Sequence, residues 1–124
     1  MDIDELTYVI RGAIFEVNRV LGAGFLEKAY ENALLIELRE RGLKVEAQLP
    51  IKVIYKDMEV GEYYADIVVE EQIILELKSI ESLQRIHEAR LLNYLKATGH
   101  KIGFLVNFKH PKAEIKRFVL QQPC

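Results

Sequence analysis

Asp66, Glu76 and Lys78 are charged residues set into an otherwise apolar stretch, Tyr63-Tyr64-Ala65-Asp66-Ile67-Val68-Val69-Glu70-Glu71-Gln72-Ile73-Ile74-Leu75-Glu76-Leu77-Lys78. The stretch reads as two strands joined by a tight acidic turn at Glu70-Glu71. Ile73, Ile74, Leu75 and Leu77 mark the second strand as buried, and buried charges are costly unless paired or bound to a metal. Side chains alternate across a strand, so Glu76 and Lys78 share one face while Leu75 and Leu77 take the other. Two carboxylates and one ammonium converging at the end of a hairpin can hold a divalent cation and activate water beside it. The competing reading is a plain ion pair of Glu76 and Lys78 on a solvated edge.

Whether Asp66 joins Glu76 depends on the loop. Directly opposed residues of an antiparallel pair share a face, so the two acids meet only across an odd-length loop, such as Glu70-Glu71-Gln72, or a bulge. A two-residue turn puts Asp66 opposite Leu75, facing away from Glu76. No Gly or Asn is present to supply the positive φ angles of a two-residue turn, which favours the longer loop.

The elements that must hold this hairpin follow from periodicity. Asp2 and Glu5 form a capping box for a first helix, whose core face is Leu6, Val9, Ile10, Ala13, Ile14, Val17 and Leu21. Gly22-Ala23-Gly24 ends it. A second helix spans about 26–41, with Leu34, Leu35 and Leu38 inward and Gly42 as the stop. Lys44 to Gln48 and Ile51 to Tyr55 read as one strand bent at Pro50, followed by a turn at Lys56-Asp57. A third helix spans about 82–98 and is stopped by Gly99. Lys101 to Asn107 is a strand, and Ile115 to Leu120 an edge strand. This order predicts an α/β layer fold, a mixed sheet with helices packed on its faces.

Two helical positions carry further chemistry. Glu27 and Glu31 stand one turn apart on the second helix, with Tyr30 between them. Glu27 either favours the helix dipole or reaches over the hairpin as an additional acid. On the third helix, Leu83, Ile86, Leu91, Leu95 and Ala97 mark the inward side, and His87, Arg90 and Tyr94 fall within that arc. An arginine in an apolar stripe wants an anion. Arg90 then faces Asp66 and Glu76, grips a substrate phosphate, or snorkels to the surface.

Composition limits the classes. The chain has 124 residues, 50% of them apolar, which suits one compact domain over 1–124 with its own core. No apolar run approaches a membrane span, and Met1-Asp2-Ile3-Asp4-Glu5 is the opposite of a signal peptide. The lone cysteine, Cys124, excludes an internal disulfide and a cysteine-based zinc site, and a reducing cytoplasm is the expected setting. Net charge is −2 but unevenly spread: residues 1–78 carry 9 Lys/Arg against 16 Asp/Glu, and residues 79–124 carry 8 against 3 along with His87, His100 and His110. That split is either a nucleic-acid-facing surface or an internal dipole that folds onto itself.

Five segments carry a resemblance. Gly24-Phe25-Leu26-Glu27-Lys28-Ala29-Tyr30 resembles the motif that names the GxxExxY protein family, a group similar to the PD-(D/E)XK nuclease superfamily. Tyr64-Ala65-Asp66-Ile67-Val68-Val69, Leu75-Glu76-Leu77-Lys78, the segment Leu91-Leu92-Asn93-Tyr94-Leu95-Lys96-Ala97-Thr98-Gly99, and Gly103-Phe104-Leu105-Val106-Asn107-Phe108 look like the same family, in the same order. The resemblance covers nearly the whole chain.

It implies a minimal restriction-endonuclease-like fold with the catalytic hairpin at the centre of a mixed sheet. By carry-over, Asp66 and Glu76 are the metal-binding acids and the Leu77 carbonyl is a third oxygen ligand. Lys78 orients or helps deprotonate the attacking water and stabilises the pentacovalent phosphate. Glu27 is the helix-borne acid. Mg²⁺ or Mn²⁺ is the implied cofactor, the substrate is DNA or RNA, and the reaction is in-line phosphodiester hydrolysis. Two positions depart from the pattern. Ala65 replaces the proline before the aspartate, and Arg90-Leu91-Leu92-Asn93-Tyr94 stands where related nucleases have Gln-x-x-x-Tyr. Arg90 there either grips a phosphate, more strongly than an amide would, or pairs with Asp66 or Glu76 and displaces the metal. The alternatives to a nuclease are a catalytically inactive nucleic-acid-binding module and an interaction or assembly protein on the same fold. A homo-oligomer or a targeting partner is compatible with each.

Overall fold

The computed structural model describes residues 1–109 and 111–120, so the expectations on His110 and Cys124 lie outside the described residues. Two helices, α1 (Ile3–Leu21) and α2 (Glu27–Glu40), precede three strands, β1 (Val45–Tyr55), β2 (Met58–Val69) and β3 (Ile73–Lys78). Helix α3 (Arg85–Thr98) then leads to β4 (Ile102–Asn107) and β5 (Glu114–Val119). The five strands form one sheet in chain order, antiparallel except for β3 and β4, which run parallel across the α3 connection. No described helix is long and apolar enough to cross a membrane.

Local chemistry sets the ends of the elements. Asp2 accepts from the Glu5 amide at 2.8 Å and caps α1, and Asn18, buried in its last turn, accepts from the Ala113 amide at 2.9 Å. Gly99, in the left-handed conformation with φ 79°, closes α3. That helix starts at Arg85 rather than Ser82, because His87 Nδ1 turns back to accept from the Gln84 amide at 3.0 Å.

The two faces of the sheet have separate cores. On one, Ile10, Ile14, Leu34 and Leu38 of α1 and α2 pack with Ile67, Val69, Ile73, Leu75, Phe104 and Val106. On the other, Leu91, Tyr94 and Leu95 of α3 pack with Val68, Ile74 and Leu105. Each fully buried Leu or Ile contributes about 1.5–3 kcal/mol. The inward arc of α3 is narrower than its apolar pattern predicts: Ile86 is 57% exposed and Ala97 is also open.

β1 is continuous through Pro50, whose place on the strand is tolerated; its departure from extended geometry is at Gln48, with φ 53°. The β1–β2 ladder pairs Ala47 with Ile67 and Leu49 with Ala65, skipping Gln48 and Asp66 between them. Strict alternation would keep Ala65 and Ile67 on one face. Instead Val45, Ile67 and Val69 pack on the α1/α2 side, while Leu49, Ile51 and Ala65 pack on the α3 side. The ribbon therefore changes faces at Gln48 and Asp66 with its register kept, and the register shift of this ladder lies farther out, between Val53 and Ile54.

The hairpin has the odd loop that the site requires. Val69 pairs with Ile73, leaving Glu70-Glu71-Gln72 as the connection. Glu70 and Glu71 nevertheless adopt φ 52° and 56°, so the positive angles are present without Gly or Asn. The Glu70 carboxylate and amide bond to the Lys44 amide and carbonyl at 2.6 and 2.8 Å, and Lys44 Nζ bonds Glu71 at 2.5 Å. Cross-links to the start of β1 thus hold a turn whose residue types disfavour it.

α3 approaches the sheet closely at Gly103, where a Cβ would lie 2.8 Å from Leu91 Cδ1 and 3.2 Å from its Cγ. Gly103→Val is expected to lower stability by about 1–3 kcal/mol through overpacking; urea unfolding at constant m-value checks it.

Candidate active site

The β2–β3 register carries Asp66 opposite Glu76, one step beyond the last paired residues, Ile67 and Leu75. There the carboxylates take over from the backbone ladder. The Asp66 amide donates to Glu76 Oε1 at 3.0 Å, and the Leu77 amide donates to Asp66 Oδ2 at 2.8 Å. Each acid is clamped by the other strand through one oxygen. The remaining oxygens are nearly free: Asp66 Oδ1 has a single long contact, 3.5 Å from Gln48 Nε2, and Glu76 Oε2 has no hydrogen bond among the described residues.

Glu76 is 6% exposed and Asp66 half-buried. Burial, and next the charge of Asp66, push the Glu76 carboxyl up to about 8 against the bond from the Asp66 amide. Burial also raises Asp66, with Glu31 adding to the rise and the Leu77 amide opposing it. No described Lys, Arg or His lies within 4.0 Å of either acid.

Lys78 ends β3, half-buried, and its charge lowers both carboxyls without touching them. The chain after it is fastened tightly. Buried Asn107 donates to the Ile80 carbonyl at 2.9 Å and accepts from the Ile80 amide at 3.1 Å, and Phe108 donates to the Lys78 carbonyl at 2.9 Å. Ser79 donates to the Phe25 carbonyl at 2.9 Å, which ties the site to the loop before α2. Tyr30 holds that loop from within: its hydroxyl donates to the Gly22 carbonyl at 2.6 Å and accepts from the Phe25 amide at 3.2 Å, and its ring stacks on Phe108. Ser79 and Asn107 carry no chemical signature in the sequence, and only the fold reveals their work.

The two acids of α2 are placed differently. Glu27, the first helical residue, is exposed, and its charge reaches His87. Glu31 is 4% exposed, accepts from Gln48 Nε2 and Lys28 Nζ at 2.6 Å each, and is the helix acid whose charge raises Asp66. The four-residue spacing from Glu27 made Glu31 visible, but only its bond to Gln48 shows which of them adjoins the pair. His87 is held below its usual pKa by burial and by the charges of Lys78 and Arg90.

Arg90 is exposed and makes no ion pair within 4.0 Å among the described residues; it acts on Glu76 only as a weak lowering charge. It therefore does not occupy the place between the acids. Tyr94 is buried, and burial, followed by the charge of Glu76, raises its hydroxyl.

The donor set suits a hard divalent cation. No three His, Cys, Asp or Glu side chains among the described residues are arranged as a ready ligand cluster. Mg²⁺ does not demand one, since it retains several waters and takes one or two carboxylates. Asp66 and Glu76 offer two carboxylates, each anchored by one oxygen with the other open, and no described cation pairs with either.

Because Glu76 is raised in the folded state and ordinary when unfolded, the fold binds the extra proton between about pH 4.5 and pH 8. Stability of the metal-free protein is thus greatest at the acid side of this window and falls as pH rises through it, with Asp66 adding in the same sense. Melting temperatures in a chelating buffer should drop by several degrees from pH 5 to 8, and Glu76→Gln should make that slope shallower.

Comparison with known proteins agrees with this arrangement. Residues 4–118 match the PD-(D/E)XK nuclease superfamily. No curated protein matches the chain. Among solved structures, one titled "Crystal structure of SSO0001" is similar, with a TM-score of 0.59 at 15% identity. The match covers 78% of this chain and 52% of that one, so the chain spans about half the length of that structure. The likeness extends to the mixed sheet and its flanking helices. With a family match over nearly its whole length, the chain belongs to the PD-(D/E)XK nuclease superfamily.

Proposed function

We propose that this chain, acting as one domain over 1–124, hydrolyses phosphodiester bonds in DNA or RNA, and that it falls in the GxxExxY group of its superfamily. The observation that carries this reading is the opposed Asp66 and Glu76, buried together with no described cation in ion-pair range. In this reading Asp66, Glu76 and the Leu77 carbonyl hold Mg²⁺ or Mn²⁺. When bound, the cation supplies charge neutralisation and Lewis acidity at the phosphate. Lys78 orients the attacking water and donates to the phosphate oxygens as their charge grows. Arg90 binds an adjacent phosphate, and Tyr94 lines its approach. Glu27 is the helix acid named by the motif; the contacts of Glu31 through Gln48 favour it as the acid nearer the pair. An inactive module would pair Arg90 with the acids, and its lack of any described ion pair supports catalysis instead.

The single cysteine is compatible with a reducing cytoplasm. The modest overall charge favours weak sequence preference, with targeting by a partner or a second copy.

Incubating wild type and Lys78→Ala, purified side by side, with single- and double-stranded DNA and RNA in Mn²⁺ tests the reading. Cleavage by wild type and a loss of at least ~100-fold in the variant are expected; equal cleavage by both proteins would sink it. Mn²⁺ should also raise the melting temperature of wild type and leave Asp66→Asn unchanged. In the same assay, Glu31→Gln is expected to lose more activity than Glu27→Gln.

A further inference from the structure

A groove of about 730 Å³ runs between the outer half of the β1–β2 ribbon and α3. Ile51 and Tyr63 line one wall, Ile86, Arg90, Tyr94 and Lys96 the other. Ile86 and Tyr63 are 57% and 49% exposed, so the apolar surface of this groove is open to water. The groove has no acidic residue in its lining, although the chain as a whole carries 19 acids against 17 bases. Neither Arg90 nor Lys96 makes an ion pair within 4.0 Å among the described residues.

Two residues of the lining, Arg90 and Tyr94, lie within electrostatic reach of the acids. Tyr94 feels the charges of Glu76 and Asp66, Arg90 acts on Glu76, and the Tyr63 and Tyr94 rings lie 6.2 Å apart at 44°. An occupant must therefore satisfy apolar walls, aromatic rings and cations at once. A duplex presents phosphates outward and hides the faces of its bases; a single strand offers both together, and its bases stack on aromatic side chains.

We propose that this groove holds a single-stranded segment of nucleic acid, with a base against the Tyr63 ring and phosphates at Arg90 and Lys96. The inference rests on reading the acid pair as a nuclease site and specifies the form of its substrate. The outer ribbon is then a substrate clamp, and the open Ile86 and Ala97 belong to the wall on which bases lie.

Fluorescence anisotropy in EDTA, without cleavage, tests it. The probes are labelled oligothymidylate and oligouridylate of about 12 nucleotides and a duplex of equal length. At least one single strand is expected to bind ~10-fold or more tightly than the duplex. Tyr63→Ala and Ile86→Glu, both at exposed positions, should each weaken it by ~10-fold, and Lys96→Glu should weaken it and flatten its salt dependence. Preference for the duplex, or unchanged binding in all three variants, would overturn the proposal. So would a dimer in sedimentation that Ile86→Glu dissociates while no oligonucleotide binds, since a second copy would then fill the groove. The two readings fail separately. Groove-dependent binding by a wild type that cleaves nothing in Mn²⁺ upholds the groove and removes the nuclease; Lys78-dependent cleavage with indifferent groove variants removes the groove alone.

Discussion

Asp66 and Glu76 bring two carboxylates to opposed positions of neighbouring strands, in surroundings too dry to ionise them easily, and the structure around them is arranged to bear that cost. The clamp is reciprocal. The β2 amide at Asp66 holds the β3 acid, and the β3 amide at Leu77 holds the β2 acid. Two amide donors are far weaker compensation than a cation, so the pair remains protonation-prone and electrostatically unfinished. In the proposed reading a hard cation would complete the pair, since the carboxylates are ordered beforehand and binding would relieve the repulsion between them.

Order in the acid pair depends on order in two loops. The segment after Lys78 is pinned by Asn107 from the parallel neighbour β4, and its own Ser79 bonds the Phe25 carbonyl of the loop that precedes α2. Tyr30 fixes that second loop from below through its hydroxyl and is itself fixed by stacking on Phe108. The Gly22–Tyr30 region is thus a strut between α1, α2 and the end of β3. Its tyrosine serves position; the acid four residues after Glu27 serves electrostatics through the Gln48 amide.

Much of this was legible from residue types and spacing. Alternation placed Glu76 and Lys78 together, and the demand for an odd loop gave the register that the hairpin has. The α/β layering and the helix stops at Gly42 and Gly99 followed from periodicity and glycine. What escaped depended on long-range contacts. Gln48 looks like an ordinary strand residue, yet it takes the positive φ that Pro50 seemed to announce as a bend. Glu70 and Glu71 accept left-handed geometry because Lys44 binds them from another strand. Periodicity also counted Ile86 and Ala97 as core, because an apolar stripe does not reveal where the opposing sheet ends.

The change of faces at Gln48 and Asp66 makes the outer ribbon an orientation-sensitive appendage of the acid pair. Side chains beyond Gln48 and Asp66 point as they do because the two strands leave the ladder together there and rejoin it in the same register. Removing a single residue from one strand there would put that strand out of phase with its partner, turning Ile51 of β1 or Tyr63 of β2 away from α3. The aspartate of the acid pair is also the pivot that aims the arm. A change of length at the Lys56-Asp57 tip leaves that aim in place, whereas one at the root does not.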